Sequence, residues 1–362
     1  MPPKYRYISL FSGAGGLEFP ESKPEVFCEL DSSCHDVLRR RFKDVDIHSD
    51  VRTLVPPRAD VVVGGWPCQD ISVAGKQRGL SGKNSGLFYH MPRIAKASKA
   101  RIIVAENVPN LIKMGGGSMF RQVLSEFRKS GFPVVAWRVL NARQFGLPQQ
   151  RKRVLMVASK DIDNVWGLFR DASFVRRPRK GKAVEAAGFY TTAGSRSICY
   201  SRGYVPTLKV GSSLSIPGPP GLFYSGVVRK ASMNECIRLQ GFSPKAFAGV
   251  NSKDVFRMMG NAVPLPIGHF VTSGLSIKAD RPEMSLEKEG YISDAGVAIG
   301  GEIFSIKIDP PARLAENLSD FIDAESEERL SQRAASGLLR RLRRSGVACP
   351  APLVVALERC AL

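Results

Sequence analysis

Between residues 5 and 160 the chain alternates two textures. YISLF (7–11), VFCEL (26–30), VVVGG (61–65), IIVAEN (102–107), VVAWRVLN (134–141) and VLMVAS (154–159) are short apolar runs rich in β-branched residues. Between them lie segments with helical spacing. DSSCHDVLRRRF (31–42) starts on capping residues, and SMFRQVLSEFRKSGF (118–132) ends at a glycine. Apolar runs of this length read as buried strands. Strand, helix, strand in alternation predicts a mostly parallel sheet covered on both faces. Ligands of such sheets sit beyond the carboxyl ends of the strands. The residues that follow each strand are therefore the first place to look for chemistry.

The first strand runs directly into FSGAGG (11–16). Its GxGG register differs from the dinucleotide fingerprint GxGxxG, and alone it marks either a tight turn or a ligand loop. Glu29 ends the second strand, where a carboxylate can accept hydrogen bonds from ribose hydroxyls. Asp50, in HSDVR, ends a third segment. A glycine loop and two acids on successive strand ends describe a nucleoside pocket, which S-adenosylmethionine, NAD or a nucleotide would satisfy.

VVVGGWPCQDIS (61–72) places Cys68 just past a strand end, behind Pro67. A lone cysteine is ordinarily a small buried hydrophobe. A thiol of pKa about 8.5 needs help to become a nucleophilic thiolate, and a strand-end rim is where such help is found. Gly64 and Gly65 are read as permitting a sharp exit from the strand. Glu106, in ENV, ends the next strand on the same rim. A thiol and a carboxylate there suggest a nucleophile and a general acid, although a glutamate can also simply cap a turn. In PQQRKRVLMVAS (148–159), Gln149, Arg151 and Arg153 alternate into a strand. Period two sends the three side chains to one face, making an anion or base-edge site or an exposed edge.

Lys and Arg number 53 against 33 Asp and Glu, a net charge of +20. A polyanion is the natural partner, because every neutralised phosphate releases counterions. With 43% hydrophobic residues and no apolar run near 18 residues, the chain reads as globular and not membrane-spanning. The opening MPPKYRYISLF has no long apolar core, so the expected location is cytoplasmic. Seven cysteines, an odd number without a CxxC, indicate neither a disulfide framework nor a metal site.

The texture changes along the chain. The expected organisation is a core over 1–160, a loop-rich second domain over 161–230, a hinge and return to the core over 231–279, and an extension of unknown role over 280–362. VRRPRKGK (175–182) is basic and GSSLSIPGPPG (211–221) turn-rich. VAIGGEIFSIKI (297–308) predicts a hairpin turned at Gly300 and Gly301. ERLSQRAASGLLRRLRRSG (328–346) predicts an amphipathic helix with Leu330, Ala334, Leu338 and Leu342 on one face and arginines on the other. That arginine face is either solvated or a contact to a DNA backbone.

Taken in order, FSGAGG, the Glu29 and Asp50 strand ends, GGWPCQDIS, GKQRGLSGKNSGLF, ENV, the QxRxR set, NECIRLQGF and GNAVP resemble the C5-cytosine-specific DNA methyltransferase family of bacterial restriction-modification type. The motifs span residue 7 to about 270; the final 85 or so residues lie outside them. The resemblance implies an α/β fold with a Rossmann-like S-adenosylmethionine-dependent methyltransferase core and a smaller, loop-rich target-recognition domain. It implies that a cytosine of double-stranded DNA is flipped out and attacked at C6 by Cys68. Glu106 would hold N3 and the amine, and Arg153 would reach O2. Arg151 would support Glu106 or a phosphate, and Asn107 would brace the loop of Pro67, Cys68 and Gln69. S-adenosyl-L-methionine would meet Phe11, Ser12, Gly13, Gly15, Gly16, Leu17, Glu29, Leu30, Asp50, Val51, Leu87, Asn261 and Ala262. Thr207 and Leu208, in VPTLK, and Gln149 are the candidates for target contact. The stretch 70–86, with Gly75, Gly79, Gly82 and Gly86, would be a loop that closes over DNA.

The implied partners are duplex DNA and a separately acting restriction endonuclease, with the enzyme a monomer. Two departures carry expectations. Pro20 and Pro24 lie in a short segment between Gly16 and Glu29 and predict a truncated first helix. Asn234 stands where the family usually has arginine, so the hinge is expected to be braced differently. A tRNA cytosine-5 methyltransferase is the alternative, but its CFT tripeptide is absent. A catalytically silent DNA-binding relative is a third reading, and it predicts erosion of motifs that are intact here.

Overall fold

The computed structural model describes residues 5–67, 85–172, 185–193, 197–210, 218–287, 291–311, 314–326, 328–345 and 351–362. Cys68, Gln69, Gly75, Gly79, Gly82, the basic run 175–182 and most of the turn-rich run 211–221 lie outside the described residues. The strands begin with β1 (Tyr7–Leu10), β2 (Val26–Cys28), β3 (Ile47–His48), β4 (Val61–Gly65), β5 (Ile102–Asn107), β6 (Val134–Asn141), β7 (Gln149–Gln150) and β8 (Lys152–Ser159). They continue with β9 (Ala186–Ala193), β10 (Ser197–Arg202), β11 (Val205–Pro206), β12 (Gly221–Tyr224), β13 (Val227–Lys230), β14 (Met284–Leu286), β15 (Ala295–Ile299) and β16 (Glu302–Ile306).

The contacts divide the chain into two units. The first comprises 1–141, 152–172 and 263–311. It holds a ten-stranded sheet in the order β14-β16-β15-β6-β8-β5-β4-β1-β2-β3. The five strands from β3 to β5 pair in parallel, as their apolar runs and crossover segments require. The other half is antiparallel, which departs from the expectation of a mostly parallel sheet. The reason is connectivity. β6 and β8 are joined by residues 142–151, which supply no crossover helix within the first unit. β15 and β16 are joined by the predicted hairpin, where Gly300 and Gly301 take φ values of 61° and 111°.

Residues 11–25 contain no helix, and the first begins at Ser32, capped by the Asp31 side chain. The core packs Ile8, Val62, Ile103 and Val135 from the sheet against Met91 and Ile94 of the helix His90–Ala97 and Phe120, Val123 and Phe127 of Ser118–Lys129. Each such side chain contributes roughly 2 kcal/mol by leaving water. The helix Leu265–Gly274 approaches the glycine loop so closely that a Cβ on Gly268 would run into the Gly16 carbonyl oxygen.

The second unit comprises 142–151, 173–262 and 312–362. A four-stranded sheet runs β10-β9-β12-β13, and β7 pairs in parallel with β11. The end of the chain closes one face of that sheet. Leu338 and Leu342 of the helix Gln332–Ser345 and Leu353 and Leu357 of Ala351–Ala361 pack on Ala187, Phe189, Phe223 and Val228. Residues 280–362 are thus divided between the units: β14 to β16 extend the large sheet, and the two helices complete the small one. Glu235, next to Asn234, is buried at the helix Met233–Leu239. Its partner is Arg229, at 2.6 Å, and it also accepts from the Asp323 backbone. Burial alone would raise the Glu235 carboxyl, yet the Arg229 and backbone hydrogen bonds hold it below its usual value.

Gly268→Ala is expected to lower unfolding stability by about 2 kcal/mol, because the added methyl overpacks a backbone contact. Denaturant titration checks this, and an unchanged midpoint would refute the close packing of this helix on the glycine loop.

Candidate active site

β1 ends at Leu10, and the chain then turns through left-handed backbone at Phe11 (φ 52°) and Gly13 (φ 53°). That conformation costs a non-glycine residue about 1 kcal/mol, so Phe11 must be held. Ser12 N–H donates to the Cys28 carbonyl at 3.4 Å, and Gly15 N–H donates to the Ser12 carbonyl at 2.8 Å. Glu29 Oε2 accepts from Gly13 N–H at 2.7 Å, and Oε1 accepts from Asp31 N–H at 2.8 Å. A Cβ on Gly13 would meet nothing within 4 Å. Glycine is needed there for φ, and the backbone is open to a ligand.

The acids differ. Burial raises the Glu29 carboxyl, and each of its oxygens keeps a second lone pair for a ligand donor. Asp50 is clasped by Arg52, with Nη2 2.6 Å from Oδ2, and those hydrogen bonds hold it at about 2. Leu17 and Val51 are buried, Leu87 is half-buried, and Leu30 is 75% exposed. An open left-handed loop beside a half-buried carboxylate fits a hydroxyl-bearing nucleoside.

A second layer lies behind the loop, and the sequence reading missed it. Glu18 is buried, with Oε1 2.8 Å from Ser9 Oγ, and that hydroxyl is 2.9 Å from Ser12 Oγ. Glu18 Oε2 has no hydrogen-bond partner among the described residues. Arg41, from the end of the first helix, donates to the Ala14 and Gly15 carbonyls. A Cβ on Gly15 would stand 2.6 Å from the Arg41 guanidinium and 3.3 Å from Glu18 Oε2. In the sequence Arg41 looks like one of three arginines ending an exposed helix; only tertiary packing turns it inward.

Gly64 and Gly65 remain in β4, paired with Ala105 and Glu106, and do not make a sharp exit. Their lack of side chain is what matters. A Cβ on Gly64 would stand 2.5 Å from the Leu10 carbonyl oxygen, and one on Gly65 would stand 2.5 Å from Glu106 Oε2. The Glu106 carboxylate therefore lies across the end of β4. β8 runs antiparallel beside β5, and Arg153 Nε reaches Glu106 Oε1 at 2.8 Å, with both side chains about nine-tenths buried. Asn107 Nδ2 donates to the Trp66 carbonyl at 3.2 Å, and its Oδ1 accepts from Val108 N–H at 2.8 Å. Asn107 thereby holds the peptide that enters half-buried Pro67. A carboxylate, a guanidinium and an anchored Trp66–Pro67 segment share the strand-end rim of the first unit.

Residues 5–184 match the family model described as C-5 cytosine-specific DNA methylase. Over 98% of both chains the sequence is 31% identical to the type II methyltransferase M2.BsuMI of Bacillus subtilis. The chain belongs to the C-5 cytosine-specific DNA methylase family. It is a DNA cytosine-5 methyltransferase. The type II methyltransferase M.FnuDI of Fusobacterium nucleatum is 28% identical over 74% of this methylase and 92% of its own length. Solved structures share the fold. S. pombe Dnmt2 matches with a TM-score of 0.54 at 15% identity, covering 75% of this methylase and 98% of that chain. Entamoeba histolytica EhMeth matches at 0.52 and 14%, with the same coverage.

The second unit of the methylase holds the remaining candidates. The Arg151 guanidinium donates to the carbonyls of Leu208, Gly260 and Ala262 at 3.1, 2.8 and 2.6 Å. The three residues of the QxRxR set thus do not share one partner. Arg153 pairs with Glu106, while Arg151 ties the VPTLK segment to GNAVP. Gln149 is fully buried, donating to Leu239 O at 2.9 Å and accepting from Leu208 N–H at 3.1 Å. The Thr207 hydroxyl donates to the Gln150 carbonyl, Leu208 is buried, Asn261 is exposed and Ala262 is buried.

Burial raises the Glu18 carboxyl, against the opposing pull of Arg41. The folded chain therefore holds this proton more tightly than the unfolded chain. That contribution is complete below the ordinary carboxylate value and is lost as pH rises through the raised one. Melting curves of the wild type and Glu18→Gln from pH 4.5 to 8 should shift in favour of the glutamine variant with rising pH. A difference that does not change with pH would show that Glu18 does not titrate in this window.

Proposed function

We propose that this methylase transfers a methyl group from S-adenosyl-L-methionine to C5 of a cytosine flipped from double-stranded DNA, through a transient covalent bond between Cys68 and C6. The observation that supports this reading best is the buried Glu106–Arg153 pair on the rim that Asn107 shares with the Trp66–Pro67 peptide. Cytosine C6 is a poor electrophile, because attack there builds negative charge on the ring. In its protonated form Glu106 offsets that charge by delivering its proton to N3, while its other oxygen accepts from the exocyclic amine. Arg153 fixes the orientation of Glu106 and donates to O2.

Cys68 attacks as thiolate, and the ring then carries nucleophilic electron density at C5. When bound, S-adenosyl-L-methionine supplies an electrophilic methyl group. Phe11, Ser12, Gly13, Gly15, Gly16, Leu17, Glu29, Leu30, Asp50, Val51, Leu87, Asn261 and Ala262 are the residues we assign to hold it, with Glu29 accepting from ribose hydroxyls. Loss of the C5 proton to solvent water, return of the N3 proton to Glu106 and departure of the Cys68 sulfur as thiolate restore the aromatic ring. Two other thiols of the chain suit this role less. Burial pushes Cys28 up to about 12, and it raises Cys236 as well; a protonated thiol is a poor nucleophile.

Extrusion of the cytosine costs a few kcal/mol of unstacking. The net charge of +20 supports a duplex partner. Target contact is assigned to the second unit, with Thr207, Leu208 and Gln149 as its sequence-derived candidates. The type II names of the relatives support protection of host DNA against a cognate restriction endonuclease; we propose a monomeric, cytoplasmic enzyme. Among the described residues no helix is long and apolar enough to cross a membrane.

The test is transfer of labelled methyl from S-adenosyl-L-methionine to duplex DNA, with tRNA in parallel. Cys68→Ala is expected to abolish transfer, and Glu106→Gln to slow it by about 10² to 10⁴, the usual worth of a positioned general acid. Bisulfite sequencing of DNA from an expressing, methylation-free host would give the target. Transfer that persists in Cys68→Ala would overturn the covalent mechanism, and transfer to tRNA alone would overturn the substrate.

A further inference from the structure

The helix Gln332–Ser345 takes no part in the chemistry above, yet its composition is unusual. It contains Arg333, Arg340, Arg341, Arg343 and Arg344 and no acidic residue. A merely solvated helix face usually mixes charges, because opposite charges three or four residues apart attract and like charges repel. Arg343 has Glu358 of the following helix at 3.6 Å, and Arg341 is half-buried. Arg333, Arg340 and Arg344 are exposed, and none has an ion-pair partner among the described residues.

Spacing aligns these three. At 100° per residue, positions 333, 337, 340 and 344 fall within an arc of about 60°, and they span about 16 Å along the axis. The fourth position is Gly337. Glycine inside a helix is less favourable than alanine, and a Cβ at Gly337 would meet nothing within 4 Å. Packing therefore gives no reason for glycine. Its effect is to leave bare helix backbone between Arg333 and Arg340, where a bulky anionic chain can come close. The opposite face carries Ala335, Leu338 and Leu342, which are buried in the core of the second unit. The arginine row is thus anchored and faces outward.

We propose that this row is a second DNA contact, in which Arg333, Arg340 and Arg344 lie along the phosphates of one strand across the bare surface at Gly337. Three arginines spread over about 16 Å can each reach a separate phosphate of one strand. Arginine suits phosphate through its planar fork of donors. The proposal rests on duplex DNA being the substrate, and it adds an affinity surface in residues outside the family's motifs.

The test uses the full chain with Arg333, Arg340 and Arg344 all changed to Gln, beside the wild type and an all-Lys version. Duplex binding is measured from 50 to 200 mM salt, methyl transfer is followed in the same proteins, and melting temperatures check folding. The Gln version should reduce the slope of log affinity against log salt by about 2 to 3, since each phosphate contact contributes about 0.9. Its KM for DNA should rise at least tenfold, with kcat within twofold. The Lys version should keep the slope. Gly337→Glu should weaken binding at least fivefold, and Gly337→Ala should leave it within twofold. An unchanged slope and KM in a Gln version that melts like the wild type would overturn the proposal. The two readings separate cleanly. A wild type that binds duplex and transfers no methyl, with the slope reduced in the Gln version, would sink the catalytic reading and leave the arginine contact standing. A wild type that binds no duplex would sink both.

Discussion

The ion pair between Glu106 and Arg153 is the constraint around which the first unit is arranged. A carboxylate and a guanidinium that are both nearly out of water are costly to bury and are kept only if each is held tightly. Three features of the fold supply that hold. β8 is inserted antiparallel next to β5, so Arg153 arrives beside Glu106 from the opposite direction. β4 ends in a glycine, so the carboxylate has room to lie across it. Asn107, the next residue along, fixes the Trp66 carbonyl and with it the entry to Pro67. Removing any one of these leaves a buried charge without its geometry.

The glycine loop follows the same logic on the other side of β1. Its front is open and its back is filled. Glu29 secures Gly13 from the front edge, while Glu18, Ser9 and Arg41 occupy the space behind Ser12 and Gly15. A loop with left-handed backbone at a phenylalanine keeps its shape only when its surroundings fix it from several directions.

Much of this was legible in the chain. The six apolar runs became six strands of the large sheet, and FSGAGG, Glu29, Glu106 and Arg153 all fell at strand ends or entries. The hairpin at Gly300 and Gly301 and the helix after Ser331 could also be read directly, because glycine and helical spacing act locally; Pro20 and Pro24 pointed to a truncated helix before Glu29, where residues 11–25 form none. What could not be read depends on partners distant in sequence. Arg41 and Glu18 meet only in three dimensions. Gly65 looked like a flexible exit and proved to be clearance for a carboxylate forty-one residues further on. Arg151 and Arg153 look alike in the motif, yet one is held by backbone carbonyls of the second unit and the other by an acid of the first. The alternation does not reveal that the chain passes between units at that point.

The tail has a consequence for how the chain is made. The second unit draws on three separated segments, and the last of them is indispensable to its packing. Arg143 is sandwiched on Tyr204 at 3.8 Å and also grips the Ala315 carbonyl and Glu316. Arg229 reaches Asp323, and the final two helices cover the small sheet. A ribosome delivers these residues after the rest of the second unit. The parallel strands from β1 to β5 can pair while synthesis continues, since all of them come from the first 107 residues. The small sheet must wait, one apolar face uncovered, until the helices Gln332–Ser345 and Ala351–Ala361 have been made. Such a unit is exposed to aggregation for most of its own synthesis, so for this part of the molecule the tempo of translation and the holding capacity of chaperones are part of the folding problem.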